Sequence, residues 1–328
     1  MKAAALVLLP LVAAAISLLV GAAQLEPGAV AFTLLHPGTP GTLHTIVWQL
    51  RLPRVCIAAT VGASLALCGA LLQGMLRNPL VDPYLTGVSA AAAAAIAVSI
   101  VAGVSAAASP AIGFLAGLGA ALLVAALARR GDGIDSNRLI LAGVSLSTLF
   151  AAIVTLAVVR AQSTEYASTV VAWLAGSMAG RGWPDLAAAA PYVAAGTLLA
   201  LCAAAPLNAL RIGELRARSI GLNVAGAQWV MLAASSLLAA SSVVLAGLVG
   251  FIGLIVPHLA RRIVGSDARV LLPACISIGA AFCMCADTIC RKIVAPAELP
   301  IGVLLAFIGV PTFLYLYLRP ATQRATLR

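Results

Sequence analysis

The sequence predicts an all-α polytopic membrane protein with about ten transmembrane helices, and three observations predict it. Of 328 residues, 62% are hydrophobic and only 9% are charged, against about 25% charged in a typical soluble domain. The mean hydropathy is +1.09. Apolar runs of span length recur along the whole chain, and the basic residues fall between them in small groups. This composition excludes a disordered chain, a collagen and a soluble enzyme with a solvated surface.

A helix needs about 20 apolar residues to cross the hydrocarbon. In chain order the candidates are 3–23, 55–75, 84–106, 110–128, 139–159, 187–207, 227–247, 249–265, 270–290 and 301–318. The first opens on Lys2 and ends Gly-Ala-Ala-Gln, a pattern shared with secretory signal peptides. It is read as a span because everything after it is already membrane protein. The second carries Gly62-x-x-x-Ala66 and the fourth Gly113-x-x-x-Gly117, pairs of small residues that let helix backbones approach. The fifth carries the hydroxyls Ser145, Ser147, Thr148 and Thr155. Ser145, Thr148 and Thr155 stand three and seven apart and share one helix face, which fits a wet cavity as well as bonding to their own backbone. The eighth is short and contains Pro257. The ninth ends near Asp287 and Arg291, which are spaced to pair on one face. Glu298 and Pro300 open the tenth, an acid at a helix start. The Gly69-to-Pro79 spacing recurs as Gly247-to-Pro257, five spans later, the offset of an inverted repeat.

Orientation follows from Lys and Arg in the loops. With the N-terminus inside, Lys2, Arg77, Arg129, Arg130, Arg138, Arg211, Arg216, Arg218, Arg261, Arg262, Arg269, Arg319, Arg324 and Arg328 fall inside. Arg51, Arg54, Arg160, Arg181, Arg291 and Lys292 fall outside. Both termini are therefore expected in the cytoplasm. The net charge of +10 belongs to loops facing an anionic leaflet, and no nucleic-acid partner is expected.

The chemistry is sparse. Lys2 and Lys292 are the only lysines, and a P-loop cannot be written around either, so an ATPase would be a separate polypeptide. The seven cysteines are odd in number, lack a Cys-x-x-Cys and read as small hydrophobes. His36, His44 and His258 are scattered; His36 and His44 on the first outer loop could pair on a metal, but no metal or cofactor is expected. There is no His-Glu-x-x-His and no Gly-x-Ser-x-Gly, so no catalytic set is expected either. Two constellations remain. Arg51-Leu-Pro-Arg54, with Arg291, is either an interfacial anchor or a docking patch for the acidic residues of an outside protein. The loop 208–226 can form short helices, with Glu214 and Arg218 at i, i+4 and Gly221 ending the turn. It lies on the membrane surface or in a groove on a partner.

Taken together, the motifs resemble the permease subunits of type II ABC importers, the FecCD/BtuC-like group that imports ferric siderophores, haem and cobalamin. Arg51-Leu-Pro-Arg54, Gly69 with Gln73 and Arg77-Asn-Pro-Leu80, then Pro83, Gly87 and Trp173-Leu-Ala-Gly-Ser177 carry the resemblance. So do Gly213-Glu214, Ala217-Arg218-Ser-Ile-Gly221, Gly250 to His258 with Arg261, and Asp287 with Arg291 before Ala297-Glu-Leu-Pro-Ile-Gly302. The resemblance implies one permease domain over 1–328 and a homodimer in the bacterial inner membrane. It also implies two ABC ATPase subunits below and one periplasmic substrate-binding protein above. Docking arginines map to Arg51, Arg54 and Arg291, and coupling to 208–226 with Glu214, Arg218 and Gly221. The path maps to the fifth and tenth spans, with Ser145, Thr148 and Thr155. The expected cargo is a metal chelate, haem or ferric siderophore before cobalamin, and the chain itself is no enzyme. The competing reading is an ion-coupled secondary transporter, which wants an ionisable group deep in a span. Only Asp287, near an outer end, approaches that.

Overall fold

In hydrocarbon an unpaired backbone N–H or C=O costs several kcal/mol, so a chain this apolar crosses as helices. The computed structural model describes residues 2–21, 25–38, 41–105, 108–131, 133–161, 163–294 and 297–318. Among them ten helices reach 13 residues or more. They are α1 (Lys2–Leu19), α2 (Leu52–Met75), α3 (Val88–Val101), α4 (Ser109–Ala128) and α5 (Ser136–Arg160). The rest are α6 (Trp183–Cys202), α7 (Val224–Ala246), α8 (Ile252–Val264), α9 (Ala268–Ile293) and α10 (Ile301–Leu318). Each falls on one of the ten expected spans, in order. Residues 22–24 and 106, and Arg319, Arg324 and Arg328 of the charge count, lie outside the described residues.

The helix α2 is the axis of the bundle, packed by α6, α7, α8 and α9. Its small residues explain how. A Cβ on Gly62 would collide with the Gly279 carbonyl of α9, and one on Gly69 with the Gly253 carbonyl of α8. Backbones meet directly at both crossings. Gly113 and Gly117 similarly admit Ile96 and Val88 of α3 against α4. The segment holding α2 is 78% buried over its span, whereas α5 and α6 are 17% buried and form the rim.

Two spans are shorter than expected by four residues or more, for local reasons. The sequence predicts the third over 84–106, but α3 covers Val88–Val101. Asp82 caps a 3-10 turn at Pro83–Thr86 by accepting from the Tyr84 N–H at 3.0 Å, and Gly87 at φ 75° redirects the chain. The sequence predicts the eighth over 249–265, but α8 starts at Ile252, after Gly247 (φ 70°) and Phe251 (φ 66°) break the path from α7. Pro257 does sit inside α8. Its missing N–H leaves the Gly253 carbonyl without its helical donor. The buried Gln73 amide of α2 donates to that carbonyl at 2.9 Å, and to the Val81 carbonyl at 3.2 Å. The two Gly-to-Pro stretches thus differ in local structure: Gly69 lies within α2, while Gly247 ends α7. They meet each other rather than match.

Smaller elements finish the ends. A π-helical segment, Thr45–Arg51, runs straight into α2. Short helices occupy Pro27–Leu35, Thr164–Leu174, Ala204–Arg211 and Glu214–Ser219. Arg129–Arg130 pairs antiparallel with Gly133–Ile134 between α4 and α5. The seven cysteines are free.

The Gly69 crossing is open to test. Replacing Gly69 with Val should lower the apparent Tm of the purified permease, since overpacking a closed interface costs about 1–3 kcal/mol or more. Gly119, with nothing within 4 Å of an added Cβ, should accept Ala without loss. Thermal unfolding in detergent checks both; equal melting of the two variants would contradict the crossing.

Candidate functional site

The expected docking arginines do come together, and with them two carboxylates. Arg54 stands in the first turn of α2, Arg51 at the end of the π-helical segment, Asp287 and Arg291 in the last turns of α9, and Glu298 just before α10. The Arg54 Nε lies 3.1 Å from both Asp287 carboxylate oxygens, and its Nη2 donates to Oδ1 at 2.8 Å. Its Nη1 donates to Glu298 Oε1 at 2.9 Å. Arg291 Nε stands 3.0 Å from Asp287 Oδ2, the i, i+4 pair read from the sequence. Three guanidiniums against two carboxylates leave the cluster positive.

The remaining donors turn inward. Arg51 Nη1 donates to the Leu18 and Leu19 carbonyls at 2.6 and 3.0 Å. Arg291 donates to the Ser17 and Val20 carbonyls at 3.1 Å each, to Ser17 Oγ at 2.6 Å and to Thr288 Oγ1 at 3.1 Å. The last carbonyls of a helix lack internal donors and carry its negative dipole end. Two arginines therefore cap α1. Arg51 and Arg291 are each 6% exposed, which departs from the snorkelling anchor of the sequence reading. The Arg54 side chain is 14% exposed and that of Glu298 39%. Glu298, expected as a helix-start acid, is instead a partner of Arg54.

At the other end of α9, about 36 Å away at 1.5 Å per residue, sits the loop 208–226. Its two short helices are Ala204–Arg211, which begins before it, and Glu214–Ser219, separated by Gly213 at φ 111°, and α7 already begins at Val224. Gly221 has φ 86°, as the sequence requires of a helix-ending glycine. Asn208 ties the loop to α9, donating to Asp267 Oδ1 at 2.6 Å and accepting from the Ala268 N–H at 2.8 Å. The Arg269 N–H, with the Asn208 amide, holds the Asp267 carboxyl below the usual carboxylate range. The expected Glu214–Arg218 pair is not among the ion pairs of the described residues. Glu214 Oε1 instead accepts from Gln228 Nε2 at 3.3 Å, and Gln228 Oε1 accepts from the Ile134 N–H at 2.9 Å. Ala217 is buried, while Ile212, Leu215 and Ile220 are 54%, 86% and 67% exposed. An apolar knob thus projects from a charged loop.

The third set lies on the rim. Ser145, Thr148 and Thr155 are exposed on α5. Thr148 and Thr155 donate to the Val144 and Ala151 carbonyls at 3.0 Å each, so both do bond to their own backbone. The sequence reading missed a cleft of about 530 Å³ lined by Leu80, Asp82, Tyr84, Phe251, Leu254 and Val303. Its walls are the two chain breaks, 76–87 and 247–251, and α10. Asp82-Pro83 and Gly87 signalled one break; nothing in the sequence marks Phe251 as left-handed.

Comparison with known proteins gives a consistent result. The FecCD transport family model matches residues 8–319. The cobalamin import system permease protein BtuC of Halobacterium salinarum is 39% identical over 292 residues, 89% of this chain and 78% of that protein. The hemin transport system permease protein HmuU of Yersinia pestis is 36% identical over 315 residues, 94% of each. Among solved structures, an inward-facing conformation of a metal-chelate type ABC transporter superposes with a TM-score of 0.84 at 33% identity, covering 94% of this chain and 96% of that one.

The buried pair makes a sharp stability prediction. Asp287→Asn leaves two guanidiniums without their shared carboxylate, and breaking a buried pair from one side costs about 3–5 kcal/mol. Glu298→Gln removes an exposed partner, where the cost is about 0–1 kcal/mol. Thermal unfolding should rank Asp287→Asn far below Glu298→Gln; the reverse order would remove Asp287 as the centre of the cluster.

Proposed function

The chain belongs to the FecCD transport family, and we infer that it is the membrane-spanning permease of an ATP-driven importer for a bulky metal chelate. Members of the family matched here are permease subunits of ABC importers, not enzymes, and the ATPase is a separate chain. The observation that carries the reading is the pairing of a positive cluster at one end of α9 with an apolar knob on a charged loop at the other. One end suits an acidic protein and the other a groove on a different protein.

In this reading the arginine end faces the periplasm and receives the substrate-binding protein through Arg54, with Arg51 and Arg291 behind it. The loop end and both termini face the cytoplasm. Leu215 and Ile220 enter a groove on the ATPase, and Gly221 fixes the exit of the short helix. Two copies of the permease enclose the path, with Ser145, Thr148 and Thr155 of α5 and the α10 face toward it. The cargo is haem, a ferric siderophore or cobalamin. Selection rests with the binding protein, because the exposed walls offer few polar groups. The ion-coupled alternative loses the group the sequence offered for it: Asp287, 2% exposed, is already neutralised by Arg54 and Arg291.

Uptake of haem, ferric siderophores and cobalamin by a strain lacking this permease tests the reading. Loss of one of the three, restored by the permease gene, is expected; uptake of all three at the normal level would overturn it. Coupling has its own test. At φ 86° a β-branched residue costs about 1–2 kcal/mol, so Gly221→Val should distort the loop. The variant should reach the membrane at normal level, lose most transport and copurify poorly with its ATPase. Normal transport by Gly221→Val would remove the loop from coupling.

A further inference from the structure

The guanidinium of Arg54 meets its two carboxylates from different sides. Asp287 holds Nε and Nη2 from the buried side, at 2% exposure, and is fixed on α9 between Arg54 and Arg291. Glu298 holds Nη1 at 2.9 Å from the wet side, with its side chain 39% exposed. It belongs to the non-helical stretch just before α10. Asp287 cannot leave without stranding two buried charges. Glu298 can, because water receives its carboxylate.

We propose that Glu298 is a built-in competitor at the docking site: its carboxylate occupies the Arg54 edge that a carboxylate of the acidic substrate-binding protein takes on docking. The proposal rests on the reading of Arg54 as a docking residue. Docking then exchanges one carboxylate for another on the same Nη1. The Nη1 donor stays satisfied in the resting permease, so the free site carries no unpaired N–H beside the Asp287 pair. The exchange also sets an upper limit on affinity, which a binding protein that must leave after each delivery requires. A site open for a fraction of the time binds with its affinity reduced by that fraction. If Glu298 closes Nη1 roughly four-fifths of the time, its removal tightens docking about fivefold.

A charge-neutral change alone would not separate this from a general field effect, because removing any acid from a basic patch attracts an acidic partner. Glu298→Asp separates them. It keeps the charge and shortens the reach by about 1.5 Å, one carbon–carbon bond. The experiment titrates the cognate substrate-binding protein onto the complete permease–ATPase complex in nanodiscs. Wild type, E298D, E298Q and R54K are compared at low salt and at about 1 M salt, where screening shortens to about 3 Å. R54K retains a cation for Asp287 but loses the planar fork.

The expected result is about three- to tenfold tighter docking by both Glu298 variants, with the E298D gain surviving high salt, and weaker docking by R54K. Unchanged or weaker binding by E298D, with R54K still impaired, overturns the competitor while leaving the docking site standing. A gain confined to E298Q and lost at high salt overturns it likewise, as a field effect. R54K docking like wild type overturns the docking reading itself, whatever Glu298 does.

Discussion

A carbonyl at a helix end buried inside the bundle has no water to turn to, so the chain must supply its donor. This constraint organises the molecule. The carbonyls of Ser17 through Val20 at the end of α1 are taken by Arg51 and Arg291. The Gly253 carbonyl, freed by Pro257, is taken by Gln73. The Ala246 carbonyl at the end of α7 accepts from the Ser177 N–H at 2.9 Å, and the Gly176 carbonyl from the Ile301 N–H at 3.0 Å. Each donor comes from a distant part of the chain, so each helix break doubles as a tertiary tie. The Trp173–Ser177 motif acquires a physical meaning here. A Cβ on Gly247 would strike the Trp173 carbonyl, and one on Gly176 would meet the Leu248 carbonyl at 2.5 Å. Two irregular segments pass so closely that only glycine fits at either.

The spans were legible because length and hydropathy alone demand them, and the helices appear where apolar runs of about 20 residues stand. The two short ones were misjudged at their ends, since apolar residues continue through the breaks. Leu248, Val249 and Phe251, between α7 and α8, are as hydrophobic as any helical residue, and Val249 is buried. Hydropathy reads exclusion from water, by protein or by lipid, and not backbone path. Gly87 and Gly247 were visible punctuation, while Phe251 takes φ 66° under compulsion from its surroundings.

The site was legible in its charges and not in its contacts. Counting Lys and Arg put Arg51, Arg54 and Arg291 on one side and the 208–226 loop on the other. Nothing in the sequence revealed that α1 supplies the partners of two arginines, because every residue has a carbonyl. Arg54 and Glu298 lie 244 positions apart, beyond any helical spacing rule. Glu214 had an attractive local partner in Arg218, yet it bonds to Gln228, which the fold brings within 3.3 Å. A surface i, i+4 pair is worth a few tenths of a kcal/mol, so tertiary geometry overrides it easily.

The helix α9 joins these observations. Its first turn is held to the loop by Asn208 and Asp267, and its last turns carry Asp287 and Arg291. It lies along α2 through the Gly62–Gly279 crossing, where contact of backbone on backbone leaves little slack. A tilt of α9 about that crossing would move Asp267 and Asp287 in opposite directions. At the arginine end such a tilt acts on Arg54 and the end of α1 together, since Asp287 binds the one and Arg291 the other. A weaker, water-exposed contact gives way before a buried one, and at this end that contact is Glu298 on Arg54. The geometry therefore puts the yielding bond on the outer edge of the cluster and the rigid ones beneath it. An arriving protein would meet that arrangement from the wet side.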